Sequence, residues 1–224
     1  MALNIGKQFI KGQRVAVHAP ALESINATDY QPTGYLFSQA SIEEVDAAAQ
    51  AAEAAFVLYS QTSQEQRAGF LDEIAVEIEA LGASLQEVAS LETGLPLARL
   101  QGETGRITGQ LRLFAQLLRR GDFYAARIDP ALPDRKPMPR VDLRQYKVGL
   151  GPVAVFGASK FPLAFSTAGG DTVAALAAGC SVVFKAHSGH MATAELVAEA
   201  IEKAVVKCGM PAGTFNMIFG GRIG

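Results

Sequence analysis

The sequence has 224 residues, 49% of them hydrophobic, and a net charge of −2 at neutral pH. That length supports a large core in one or two domains, and the near-balanced charge gives no argument for a nucleic-acid or membrane partner. No apolar run reaches the ~18 residues that span a bilayer, MALNIGKQFIKG lacks the apolar core of a signal peptide, and two cysteines are too few for a disulfide framework, so a cytoplasmic location is expected.

Phe9-Ile10 and Val15-Ala16-Val17 flank Gly12 and predict a small hairpin, followed by a connection over residues 26–34 that contains Asn, Thr and Pro. Ser41 with Glu44 forms a capping-box pattern ahead of Ile42, Val45, Ala49, Ala52 and Phe56 at helical spacing. Ser63 with Gln66 repeats it ahead of Phe70, Ile74, Ile78 and Leu81, up to Gly82. A third helix around Leu85, Val88 and Leu91 stops at Gly94-Leu95-Pro96. A longer one carries Leu100, Ile107, Leu111, Phe114 and Leu118 on one face and closes at Gly121. These stripes read as core.

Residues 129–139 hold four of the ten prolines and read as an extended connection between candidate strands at 123–128 and 141–148. Arg135, Lys136, Arg140, Arg144 and Lys147 are interleaved with Asp134 and Asp142 and lack an aromatic platform. They read as a solvated or subunit-facing strand, not a nucleic-acid groove.

A Val-rich strand over Pro152–Phe156 leads to Pro162, which suits a first helical turn, and to a helix of small apolar residues from Leu163 to Ala178, stopped by Gly179. Ser181–Lys185 returns as a second strand. A helix from Ala192 to Lys207 and a third strand over Thr214–Phe219 follow. This spacing predicts an α/β fold with a βαβαβ parallel sheet, whose ligands lie at the carboxyl ends of the strands. The chain then divides into a hairpin and helical part (1–121), a Pro-rich connection with its own hairpin (122–149), and a nucleotide-binding part (150–224). The only G-x-G-x-x-[GA] match, Gly149 to Ala154, precedes its strand and is coincidence. His187 and His190 have a ligand-like spacing but no third ligand nearby, so no metal is expected.

GPVAVFGASKFPLAF, ALAAG, VVFKA and DPALPDRKPMPRVDLR together resemble the NAD(P)-dependent aldehyde dehydrogenase superfamily. Within it the chain is similar to bacterial enzymes that oxidise α-ketoglutaric semialdehyde to α-ketoglutarate. The resemblance implies a Rossmann-like cofactor domain and a hairpin within 122–149 that joins subunits into a homo-oligomer. Phe156, Gly157, Ala158 and Ser159 match the family's turn after the first strand. Lys185 matches the lysine that bonds the adenosine ribose, and Gly220 and Gly224 fall in the glycine-led segment after the third strand. NAD-preferring members often carry a glutamate three residues after that lysine. Ser188 stands there, which implies NADP, with NAD as the alternative. Two compatible readings of Ser188 follow: a phosphate ligand near a helix N-terminus, and a helix cap.

Aldehyde oxidation by this family needs a thiolate, an oxyanion donor and a base. The resemblance puts the nucleophilic cysteine and the basic glutamate in segments beyond residue 224, and Cys180 and Cys208 read as inert. Stand-alone turnover is therefore not expected, and a truncated, non-catalytic nucleotide-binding or assembly module is the alternative reading. Lys160 occupies the place of the family's oxyanion asparagine, where a cation at a helix N-terminus costs ~0.3–1 kcal/mol if exposed. It reads either as a solvent-pointing lysine in a chain that no longer catalyses or as a drifted or engineered change. The family's substrate tunnel is bordered by the long helix and by the helix expected to bear Phe161 and Phe165. One arginine of the long helix, Arg106 in preference to Arg112, is expected to meet a substrate carboxylate. A solvated surface arginine is the competing reading.

Overall fold

The computed structural model describes residues 4–221. Its elements are β1 (Asn4–Gly6), β2 (Gln8–Ile10), β3 (Gln13–Val15), β4 (Pro20–Ile25), β5 (Pro32–Ser38), α1 (Ile42–Tyr59), α2 (Gln64–Ala80), α3 (Ala83–Thr93) and α4 (Leu97–Arg120). They continue with β6 (Arg127–Asp129), β7 (Leu143–Gln145), β8 (Val153–Phe156), α5 (Gly170–Ala177), β9 (Val182–Lys185), α6 (Met191–Lys207) and β10 (Phe215–Ile218).

The main sheet runs in the order β3-β2-β10-β9-β8. Strands β8, β9 and β10 are parallel, and the register sets Phe156 beside Lys185 and Lys185 beside Ile218. Three carboxyl ends therefore finish level with one another. The N-terminal hairpin turns at Lys11-Gly12, both at positive φ, and β2 joins β10 in antiparallel sense, Phe9 opposite Met217. Alternation along the strands sends Val182, Phe184, Phe215 and Met217 into the large core under α5 and α6. Val183 and Ile218 face the opposite way, toward Ala48 and Ala51 of α1. Helix α2 packs chiefly on α4 and also against α6.

Local chemistry accounts for the helix ends. Both arms of the capping box are formed at Ser41/Glu44 and at Ser63/Gln66. Gly94 and Gly121 close α3 and α4 in the left-handed region.

Several expectations need correction. Residues 1–121 are not a hairpin plus helices alone, because β1, β5 and β4 form a second sheet. Pro20 and Pro32, each the first residue of its strand, are tolerated there because a strand's opening residue can lack its N–H, and the expected connection at 26–34 is partly strand. The strands sought at 123–128 and 141–148 shrink to the antiparallel pair β6 and β7, with one further pairing of Leu132 with Arg140. The helix placed at 163–178 begins only at Gly170. Ser166, Thr167 and the Gly169-Gly170 pair favour turns over helix, and Gly169 donates back to the Ser166 carbonyl at 2.8 Å. A Cβ on Gly169 would lie 2.8 Å from the Phe165 Cα, so only glycine fits this bend. Pro162 therefore sits in a turn and not in a first helical turn. Among the described residues no helix is long and apolar enough to cross a membrane.

Candidate functional site

The level carboxyl ends of β8, β9 and β10 carry three loops, and backbone bonds fasten them to one another. Gly157 donates to the Lys185 carbonyl at 3.1 Å, Ala158 to the Phe165 carbonyl at 3.0 Å, and Ala186 to the Ile218 carbonyl at 3.0 Å. A Cβ on Gly157 would stand 3.2 Å from the His187 nitrogen, so this glycine lets the first two loops touch. The N–H groups of Gly157 and Ala158 are thus spent within the protein, and the turn offers a ligand its surface, with Phe156 and Ser159 exposed.

Lys185 ends β9 half-buried, and its ammonium forms no hydrogen bond or ion pair with any described residue. Burial holds its ammonium below the usual lysine range. Ser188 is exposed in the loop that follows. It does not cap α6, which is the correction to one of its two readings. The N-cap is His190, and the first-turn donors Ala192 and Thr193 bond the Glu92 carboxylate at 2.9 and 2.8 Å. A phosphate beside Ser188 would find these two donors already taken. His187 stacks on His190 at 5.2 Å, and burial, then the neighbouring His190 and Lys185, pull its pKa down. Gly220 is buried two residues after β10, while Gly224 lies outside the described residues.

A second group of residues lies along α4. The Glu103 carboxylate, buried, accepts the N–H groups of Leu163 and Ala164 at 3.3 and 3.2 Å, and Arg99 donates to the Lys160 carbonyl at 3.0 Å. Phe161 and Phe165 therefore sit on a turn clamped to α4, not on a helix of their own, and meet edge to face at 5.1 Å. The Arg106 guanidinium lies 4.8 Å from the Phe165 ring centroid and that of Arg99 lies 5.2 Å from Phe161. Arg112 instead grips Glu79 through two bonds of 2.6 and 2.7 Å. Of the two arginines, Arg106 is the one beside the aromatic pair. Lys160 is exposed, its ammonium 5.9 Å from the Phe161 centroid. With no helix starting near it, the helix-dipole cost does not apply.

Sequence reasoning missed Arg99, Glu103 and Glu92, and weighed His190 only as a metal ligand. Two had a signal: Glu103 falls in the stripe of Leu100, Ile107 and Leu111, and Glu92 follows Leu85 and Ala89 on one face. A carboxylate on a core face must find donors from another segment. Cys180 is a buried free thiol, and Cys208 is half-buried with its pKa raised, chiefly by burial. Neither sits in the electropositive, exposed setting of a reactive thiolate. Among the described residues no group of three or more His, Cys, Asp or Glu is placed to hold a metal.

The sequence pattern of the aldehyde dehydrogenase family matches residues 15–224. The chain belongs to the aldehyde dehydrogenase family. Members of the family use NAD(P). An α-ketoglutaric semialdehyde dehydrogenase of Acinetobacter baylyi is 79% identical over all 224 residues of this chain, which spans 43% of that relative. A second relative, α-ketoglutaric semialdehyde dehydrogenase 2 of Azospirillum brasilense, is 54% identical over 97% of this chain and 42% of its own length. The solved structure of a 1-pyrroline-5-carboxylate dehydrogenase shares the fold at a TM-score of 0.84 and 22% identity, covering 97% of this chain and 40% of that one. The chain thus spans less than half the length of these relatives.

Proposed function

We propose that these residues form the Rossmann-like cofactor-binding portion of an aldehyde dehydrogenase that oxidises α-ketoglutaric semialdehyde to α-ketoglutarate, with NADP as the preferred acceptor. The observation that carries the reading is Lys185: an unpartnered cation at the carboxyl end of the central parallel strand, followed three residues later by a serine and not by a carboxylate. The identity of 79% to the Acinetobacter baylyi relative supports the substrate.

In this reading Lys185 donates to the adenosine ribose, and Lys185 with Ser188 meets the 2′-phosphate by charge and hydrogen bonding. Phe156, Gly157, Ala158 and Ser159 form the surface under the dinucleotide, with Gly220 and Gly224 beyond the third strand. The nicotinamide, when bound, supplies a hydride acceptor for the aldehyde carbon. On the substrate side Phe161 and Phe165 wall the approach, and Arg106 holds the terminal carboxylate. Lys160 occupies the oxyanion position. Its exposed ammonium, in place of a short amide, favours the second reading of a nucleotide-binding module without turnover. The β6–β7 hairpin exposes Ile128, Leu132, Met138, Val141 and Leu143, which supports a role in joining copies of the chain.

Calorimetric titration of the 224-residue chain with NADP and NAD tests the cofactor. Tighter binding of NADP, reversed in Ser188→Glu and weakened in Lys185→Met, is the expected result. Equal affinities would remove the NADP preference, and binding of neither dinucleotide would overturn the cofactor reading.

A further inference from the structure

Helix α6 begins in an unusual way. Its N-cap residue, His190, does not bond the first turn with its side chain as a capping residue ordinarily does. Glu92, reaching over from α3, takes the Ala192 and Thr193 donors instead. The His190 ring is thereby left to point the other way, and its Nε2–H donates to the Ala158 carbonyl at 2.9 Å. A carbonyl oxygen only accepts, so that bond requires a proton on Nε2. The ring is 1% exposed, and Nδ1 has no partner among the described residues. Burying a ring nitrogen without a partner costs stability, so filling space does not account for a histidine here, since an apolar ring would do it better.

What the ring joins is informative. Ala158 belongs to the loop after β8, and its own N–H holds the Phe165 carbonyl. His190 ends the loop after β9, which carries Lys185 and Ser188, and it stacks on His187, whose Nδ1 accepts from Gly189 at 3.0 Å. A single side chain thus connects the segment bearing Phe161 and Phe165 to the segment bearing Lys185.

We propose that His190 is a positioning residue, a latch between the loops after β8 and β9 that sets the spacing between the adenosine end and the aldehyde end of the site. The functional half of this assignment rests on the dinucleotide reading above; the latch itself does not.

The test compares the 224-residue chain with His190→Ala, with His190→Gln, which keeps a donor, and with Ile201→Val, a buried α6 change that leaves both loops alone. Amide hydrogen exchange is followed at residues 157–160, and affinities are measured for NADP, which spans both loops, and for adenosine 2′,5′-bisphosphate, which meets only the second. The alanine variant is expected to speed exchange at Ala158 and to weaken NADP by roughly 3- to 10-fold, the worth of one buried hydrogen bond. The adenosine fragment should lose a smaller factor, His190→Gln should recover part of both effects, and Ile201→Val should show neither. Unchanged exchange at Ala158 in His190→Ala overturns the latch. Equal losses for NADP and the fragment overturn its positioning role. A wild-type chain that binds neither ligand sinks the cofactor reading, while the exchange result still decides the latch.

Discussion

The carboxylate of Glu92, near the end of α3, accepts the backbone N–H of Thr193 at 2.8 Å, tying together residues 101 positions apart. It also accepts from the Thr193 hydroxyl and the Ser24 hydroxyl, each at 2.7 Å, and from Ala192 at 2.9 Å. A buried carboxylate at a helix N-terminus is favoured by the dipole and by the orphan donors there. Here it also sets where α6 starts and hence where the loop carrying Lys185 and Ser188 must end.

Glu92→Ala should therefore destabilise the chain by at least about 3 kcal/mol, since bonds to a charged group contribute roughly 1.5–3 kcal/mol each and several donors would be left buried without partners. Glu92→Gln should fall between alanine and wild type, because its amide keeps one oxygen and opposes the remaining donors with N–H groups. Urea unfolding measures both. A loss under about 1 kcal/mol for alanine would mean that water replaces the carboxylate and that the cap is incidental.

Glu202 gives a stability dependence on pH with a definite sign. It lies on α6 facing the N-terminal hairpin, where Arg14 pairs with Glu195 and Glu199 and stacks over Phe9; Lys203 and Lys207 lie on the same side. Burial pushes the Glu202 carboxyl up to about 7, with Arg14 acting against it. A folded-state pKa above the unfolded one means that the folded chain holds the proton more tightly. The unfavourable contribution then grows as pH rises from about 4.5 and is complete above about 7. Glu202→Gln should match wild type near pH 4.5 and exceed it in stability with a widening gap up to neutrality, the gap being on the order of 3 kcal/mol at most. A gap that stays constant across this range would show that Glu202 ionises freely in the folded chain.

Arg106 supplies the substrate test. Because Arg112 is committed to Glu79, the guanidinium over Phe165 is the one available to a carboxylate. In a version of the protein extended to the length of its relatives, Arg106→Met should reduce kcat/KM for α-ketoglutaric semialdehyde by about 10-fold or more, one charge-assisted bond's worth. An uncharged aldehyde of similar length should be nearly unaffected. Equal losses on both substrates would assign Arg106 to holding Phe165 and the fold.

The parts legible from sequence were those with a local cause. Ser41 with Glu44 and Ser63 with Gln66 announce helix starts because both partners of a capping box lie within four residues, and Gly94 and Gly121 announce ends because few other residues tolerate the left-handed turn. The three strands beginning near residues 153, 181 and 214 were readable from their Val- and Phe-rich runs, and Lys185 could be placed at a strand end from its neighbours alone. The failures were equally physical. Strand β5 is held between β4 and β1, and Leu163–Ala168, apolar enough to be read as helix, turns because Glu103, about sixty residues away, takes the Leu163 and Ala164 donors, Ser166 and Thr167 favour turns, and Gly169 bends the chain back. Ser188 looked like a cap until Glu92 took its place. Composition and short-range spacing thus determined most of the helices and the three parallel strands of the main sheet. Only the tertiary structure decided which buried carboxylate caps which helix, which arginine stands over Phe165 and what His190 holds, since those contacts are made by groups distant in the chain and leave no periodic trace in it.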